Sequence, residues 1–158
     1  MWHIPFFDRR LAHHETATRA EASPEEALLD GLVTITGRIM FSAIFVVSGV
    51  THLVKYDDMV EYATANGVGG AWLLVPLTGM MIIMGGLSVL TGYATRLGAW
   101  LLFLFLVPTA VLMHRFWGLD DPALASVQMA HFMKNIALAG AALLLTRFGS
   151  GPWSLDRP

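Results

Sequence analysis

Four long apolar runs dominate the chain. The first, residues 32–54, is interrupted only by Arg38 and His52, and the second, residues 71–90, carries no charge. The third, residues 97–113, is rich in Leu, Phe and Val, and the fourth, about residues 128–146, has Lys134 near its start. A helix crosses the hydrocarbon layer with about 20 residues, so the second run is ample, the first can tilt, and the third sits at the lower limit. No window alternates strictly between apolar and polar positions, which argues against a barrel. Backbone groups in lipid must be bonded within their own segment, which leaves helices. The pattern therefore predicts an all-α, integral membrane four-helix bundle.

Residues 1–30 are the polar part, with Arg9, Arg10, Glu15, Arg19, Glu21, Glu25, Glu26 and Asp30. Two regions follow from this: a short amino-terminal tail over residues 1–30 and a four-helix membrane domain over residues 31–158. Trp2, Phe6 and Phe7 precede the charges, the reverse of a cleavable signal, and can lie among lipid headgroups or dock on a partner. Ser23-Pro24-Glu25-Glu26 reads as a helix start, with Ser23 as cap, Pro24 in the first turn and Glu26 completing a capping box. Gly79, Gly85, Gly86 and Gly92, and Ala137, Gly140 and Ala141, mark places where helices can approach closely. Pro108, inside the third run, is expected to bend it.

Composition supports the membrane reading. Of 158 residues, 55% are hydrophobic and 14% charged, against about 25% charged in an ordinary soluble domain. So much apolar surface cannot be hidden inside one small globule. The net charge of −2 excludes a basic nucleic-acid binder. With no Cys, the chain itself carries no disulfide, no thiolate metal site and no iron–sulfur cluster.

Charge also orients the bundle. With the amino terminus inside, the inner segments hold Arg9, Arg10, Arg19, Arg38, Arg96, Arg147 and Arg157, while Lys55, Arg115 and Lys134 lie on the outer side. This bias predicts a multi-pass bacterial inner-membrane protein with both termini in the cytoplasm. Arg38, one to two turns into the first span, is expected to snorkel to the headgroups, and Arg96 to anchor the inner side. Trp72, Trp100, Trp117, Trp153 and Tyr93 read as an interfacial belt.

The same topology gathers polar groups near the outer face. His52 closes the first span, His114 the third, and Gln128, His131, Lys134 and Asn135 open the fourth. Gln128, His131 and Asn135 share one helix face at i, i+3 and i+7. Asp57, Asp58 and Glu61 in the loop after the first span are candidate partners for Lys134. These groups can simply satisfy one another at the wet boundary. They can also bond the carbonyls of a quinone or a lipid headgroup, ligate haem through two histidines, or hold a metal through three. No nucleophile elbow, phosphate loop, zinc-binding helix or paired intramembrane acids occur. No buried carboxylate is available for a proton relay, and no inverted repeat is evident. No catalytic residue and no metal ligand is therefore expected.

The residues between about Gly37 and Asp156 resemble the DoxX family of small bacterial membrane proteins. The likeness rests on Gly37-Arg38, on Ser48-Gly49-Val50-Thr51-His52-Leu53, and on Gly85-Gly86-Leu87 followed by Gly92-Tyr93-Ala94-Thr95-Arg96. It continues with His114, Gln128, Phe132-Met133-Lys134-Asn135-Ile136-Ala137-Leu138 and the closing Gly149-Ser150-Gly151-Pro152-Trp153-Ser154-Leu155-Asp156. The resemblance implies a four-helix inner-membrane bundle with both termini inside. Some members of that family look like membrane subunits of quinone-linked sulfur oxidation, and others associate with oxidative-stress complexes. This chain departs from the family pattern at His52, where Lys is frequent, and in its uncharged second span, where an acid is frequent. Losing both members of a buried ion pair leaves no orphan charge and favours a structural role. The expected function is an accessory, non-catalytic membrane subunit of a larger bacterial redox complex, in contact with lipid and with other membrane subunits. The alternatives are a quinone-binding oxidoreductase subunit, in which His52, His114, His131, Lys134, Gln128 and Asn135 hold the ring, and a stand-alone transporter or stress-response protein.

Overall fold

A computed structural model describes residues 23–156. The expectations for Trp2, Phe6 and Phe7 fall outside those residues. The described residues form five helices in order: α1 (Pro24–Val54), α2 (Tyr56–Ala65), α3 (Ala71–Thr91), α4 (Thr95–Met113) and α5 (Pro122–Phe148). Four of them, α1, α3, α4 and α5, are long and apolar enough to cross a membrane, as the four runs predict.

Local chemistry sets most helix ends. Ser23 Oγ accepts from the Glu26 N–H at 3.2 Å, and the Ser23 N–H donates to Glu26 Oε2 at 2.8 Å. This is the predicted capping box, and α1 runs from it without a break for 31 residues. α3 lies between two glycines in the left-handed region, Gly70 at φ 69° and Gly92 at φ 68°, where a Cβ would be strained. α5 is capped by Asp121, whose carboxylate accepts from Ala123 and Leu124 N–H. α4 continues through Pro108 to Met113.

The spans pack as a row, α1 on α3, α3 on α4 and α4 on α5. Glycines lie at the crossings. Gly49 of α1 abuts the Gly79 carbonyl and the side chains of Ile82 and Ile83, and Gly86 lies against Phe45 and Val46. Gly85 meets Leu102 of α4, and Gly98 meets Ser88 of α3. Without side chains at these points the backbones approach closely, as packing in lipid favours. The core is Phe45, Ile82, Val89, Leu102, Leu106, Ala139 and Ala142. Large apolar residues such as Val33, Met40, Val47, Val54 and Leu97 face outward, which suits a lipid environment.

These contacts fix the register of α1. Arg38 stands beside Gly92, at the α3–α4 turn. Residues 24–37 therefore extend about 21 Å beyond that turn at 1.5 Å per residue. At the other end α1 stops short, and α2 covers it. Tyr56, Met59, Val60 and Ala63 of α2 recur at i, i+3, i+4 and i+7 and pack with Ala71, Val75, Val68 and Met113. Tyr56 donates to the Trp72 carbonyl at 2.9 Å, and Arg115 donates to the Asn66 carbonyl at 3.0 Å, fastening this cover to α3 and to the segment after α4.

Arg38 departs from expectation. It does not snorkel: it is 4% exposed, and its Nη2 donates to the carbonyl of Trp153. The segment after α5 folds back over it. The Leu155 N–H donates to Thr91 O at 3.2 Å and the Asp156 N–H to Gly92 O at 2.6 Å, while the Trp153 ring lies on Gly31. Trp153 is thus a packing residue as well as a half-exposed aromatic.

Candidate functional site

A cavity of about 400 Å³ opens at the end of the bundle that carries the histidines. All five helices contribute to its wall. Ile44, Phe45, Leu74, Val75, Leu104 and Leu112 make much of it apolar, and the α2 cover closes it with Met59, Tyr62 and Ala63. Ser48, His52, Thr78, Thr109, His114, Lys134 and Asn135 supply its polar groups, together with Tyr62. Its volume lies within the range of small-molecule pockets, about 300–1,000 Å³. α1 and α5 both line it with few close backbone approaches between them, and the cavity is partly open.

The six expected residues separate into two groups. His52, His114, Lys134 and Asn135 line the cavity, and His131 and Gln128 do not. His131 instead stacks on His114, with ring centroids 5.1 Å apart and planes 27° from parallel. Gln128 Oε1 lies 3.0 Å from His114 Nδ1; the amide oxygen accepts, so Nδ1 carries the hydrogen. The i, i+3 spacing along α5 thus delivers Gln128 and His131 to His114, the residue that caps the end of α4. Burial, together with the positive field of His131 and Lys134, holds the His114 imidazole below its ordinary pKa, against the opposing effect of the Gln128 bond.

His52 does not share the depth of the other two histidines. Gly79, eight residues into α3, lies against the His52 Cβ, and the His52 ring meets Phe105 edge-on, nine residues before His114. These registers place His52 about 12 Å below the start of α3 and about 13.5 Å deeper than His114. The cause is the offset of α1: its overhang at one end leaves it short at the other, beneath α2. The His52 Nδ1 lies 2.8 Å from the Ser48 carbonyl. A carbonyl only accepts, so Nδ1 bears the hydrogen, and Nε2 of the neutral ring is left as an acceptor.

Asn135 is 6% exposed and Lys134 borders the cavity from the more open side of α5. Asp57, Asp58 and Glu61 stand on the exposed side of α2 and none lines the cavity, so they do not act as the expected partners of Lys134 there. Among the described residues no group of three His, Cys, Asp or Glu side chains is gathered to hold a metal ion. Tyr62 and the α2 cover were not anticipated, although the i, i+3, i+4, i+7 recurrence of Tyr56, Met59, Val60 and Ala63 carries the signal.

A family model described as DoxX matches residues 33–115. Inner membrane protein YphA of Escherichia coli (strain K12) is 30% identical over 126 residues, which cover 80% of this chain and 89% of that protein. Inner membrane protein YqjF of the same organism is 31% identical over 129 residues, covering 82% and 93%. No solved structure matches the chain.

Proposed function

The chain belongs to the DoxX family, and we propose that this membrane protein binds the head ring of a quinone-class lipid in the cavity beneath α2. One observation carries the reading: a largely apolar, partly open cavity of about 400 Å³ whose polar groups include His52, Lys134 and Asn135. A quinone needs donors for its carbonyl oxygens, and the Lys134 ammonium and the Asn135 amide are donors. The reduced ring carries hydroxyls, and His52 Nε2 accepts from one. The isoprenoid tail leaves through the open side of the cavity toward lipid. In this reading the chain holds and orients the ring as an accessory subunit, and the electrons belong to a redox partner in the same membrane. Both termini face the cytoplasm, because Arg38, Arg96 and Arg147 fall at one end of the bundle while Lys55, Arg115 and Lys134 fall toward the other.

The test is titration of the purified full-length protein, in detergent, with a short-tailed quinone, followed by tryptophan fluorescence. Saturable binding is expected. Both His52→Ala and Lys134→Met should weaken it about tenfold, equivalent to about 1.4 kcal/mol. Thr109→Phe, which fills the cavity, should abolish it. Absence of saturation, or binding unchanged in Thr109→Phe, overturns the proposal. A carboxy-terminal reporter fusion that is active only in the periplasm would overturn the orientation.

A further inference from the structure

A second cleft, of about 810 Å³, lies at the opposite end of the bundle. Its wall is the first turn of α4, with Thr95, Arg96 and Leu97, then Phe148 at the end of α5 and the Gly149–Ser154 segment. It shares no lining residue with the histidine cavity.

Charge near this cleft is unbalanced. Arg96 lines it. Arg38 lies directly behind the segment, bonded to the Trp153 carbonyl. Its Nε and Nη1 are buried without a hydrogen-bond partner among the described residues. A guanidinium taken out of water at this cost draws in negative charge wherever it can be reached. Among the described residues Asp156 is the carboxylate that lines the cleft. Its Oδ1 accepts from the Ala94 N–H at 2.7 Å and its Oδ2 from the Thr95 N–H at 2.9 Å, so it is committed to the start of α4. Two guanidinium groups, Arg96 in the wall and Arg38 behind it, thus stand against this one carboxylate.

The rim is apolar. Leu97 is 63% exposed, Phe148 76% and Trp153 51%, and all three border the cleft. Gly149, Ser150 and Gly151 keep the opposite wall small. A basic recess with an apolar rim at the end of membrane helices has the chemistry of a lipid headgroup site.

We propose that this cleft binds the phosphate group of an anionic membrane lipid, with Arg96 as its direct partner and the buried charge of Arg38 adding attraction from behind the Gly149–Ser154 segment. The acyl chains run along Leu97 and Phe148. The site is independent of the quinone reading and stands or falls without it.

The experiment is native mass spectrometry of the full-length protein released from neutral detergent, with phosphatidylglycerol, phosphatidylcholine or inorganic phosphate added separately. Phosphatidylglycerol should be retained about fivefold more than phosphatidylcholine, the contribution of about one basic residue at an anionic surface. Arg96→Gln should bring it down to the phosphatidylcholine level, and Arg96→Lys should keep most of the preference. Leu97→Glu, which sets a carboxylate on the rim, should also remove it in a variant whose helical circular dichroism matches wild type. Equal retention of the two lipids, or a preference that survives both Arg96→Gln and Leu97→Glu, overturns the proposal. Arg96-dependent retention of inorganic phosphate without retention of phosphatidylglycerol overturns the lipid as the source.

Discussion

Arg38 of α1 donates from Nη2 to the carbonyl oxygen of Trp153, 115 residues later in the chain. That bond ties the start of the bundle to its last described segment. Around it, Trp153 covers Gly31, Ser154 approaches Gly92, and Asp156 caps α4. The segment after α5 is thereby a strap across α1, the α3–α4 turn and the first residue of α4.

Gly92→Ala should release this strap. Gly92 has φ 68°, and a Cβ there would meet Arg38 Nη1 and Ser154. The left-handed conformation alone costs an L-residue about 1–2 kcal/mol. A lower thermal midpoint is expected, together with faster carboxypeptidase trimming than in wild type. Unchanged trimming would show that the strap is held by other contacts.

Gly79→Ala should disturb the candidate site without touching any ligand. A Cβ at Gly79 would lie 2.8 Å from the His52 Cβ, and overpacking of this kind typically costs about 1–3 kcal/mol. His52 has to shift, so quinone affinity should fall along with stability. A variant of reduced stability that titrates like wild type would place the ring away from His52.

His114 should make the fold sensitive to mild acid. Its folded pKa lies below the ordinary histidine value, chiefly through burial. Below that ordinary value the unfolded chain takes up a proton that the folded chain refuses, so stability declines as pH falls toward the lowered folded pKa and then levels off. Between pH 7.5 and pH 5, the thermal midpoint of wild type should drop more than that of His114→Gln. Parallel profiles would assign the acid sensitivity elsewhere.

Asp156 acts in the same sense, over a more acidic range. Hydrogen bonds from Thr95 and Ala94 N–H hold its carboxyl below the usual aspartate value. Its contribution is present above that value and is lost as pH falls through the lowered one. Asp156→Ala should cost about 1 kcal/mol at neutral pH, as loss of a helix cap does, and chemical denaturation in detergent would measure it. No change would mean that solvent already satisfies the α4 N–H groups.

The spans were legible because hydropathy over about twenty residues is a strong signal in lipid. The Ser23–Glu26 capping box was legible for a different reason: its residues are adjacent in sequence, and so are the groups they satisfy. α2 was harder to see because it is short and carries Asp57, Asp58 and Glu61 on its exposed side. Only its buried side shows the helical period. The histidines were legible as a set near one end but not as an arrangement. Their depths depend on how far α1 slides along α3, and the Gly49–Gly79 crossing decides that.

The order of apolar and polar residues by itself determined four spans, their approximate limits, the start of α1 and the likeness to DoxX. These follow from transfer of side chains and backbone into lipid, which each segment undergoes largely on its own. Only the tertiary structure decided that Arg38 is buried under the strap rather than reaching the headgroups. It also decided that His131 pairs with His114, while His52 sits two turns deeper at the cavity. Such relationships come from contacts between segments distant in the chain, where close packing at glycine fixes register, and no local pattern encodes that distance.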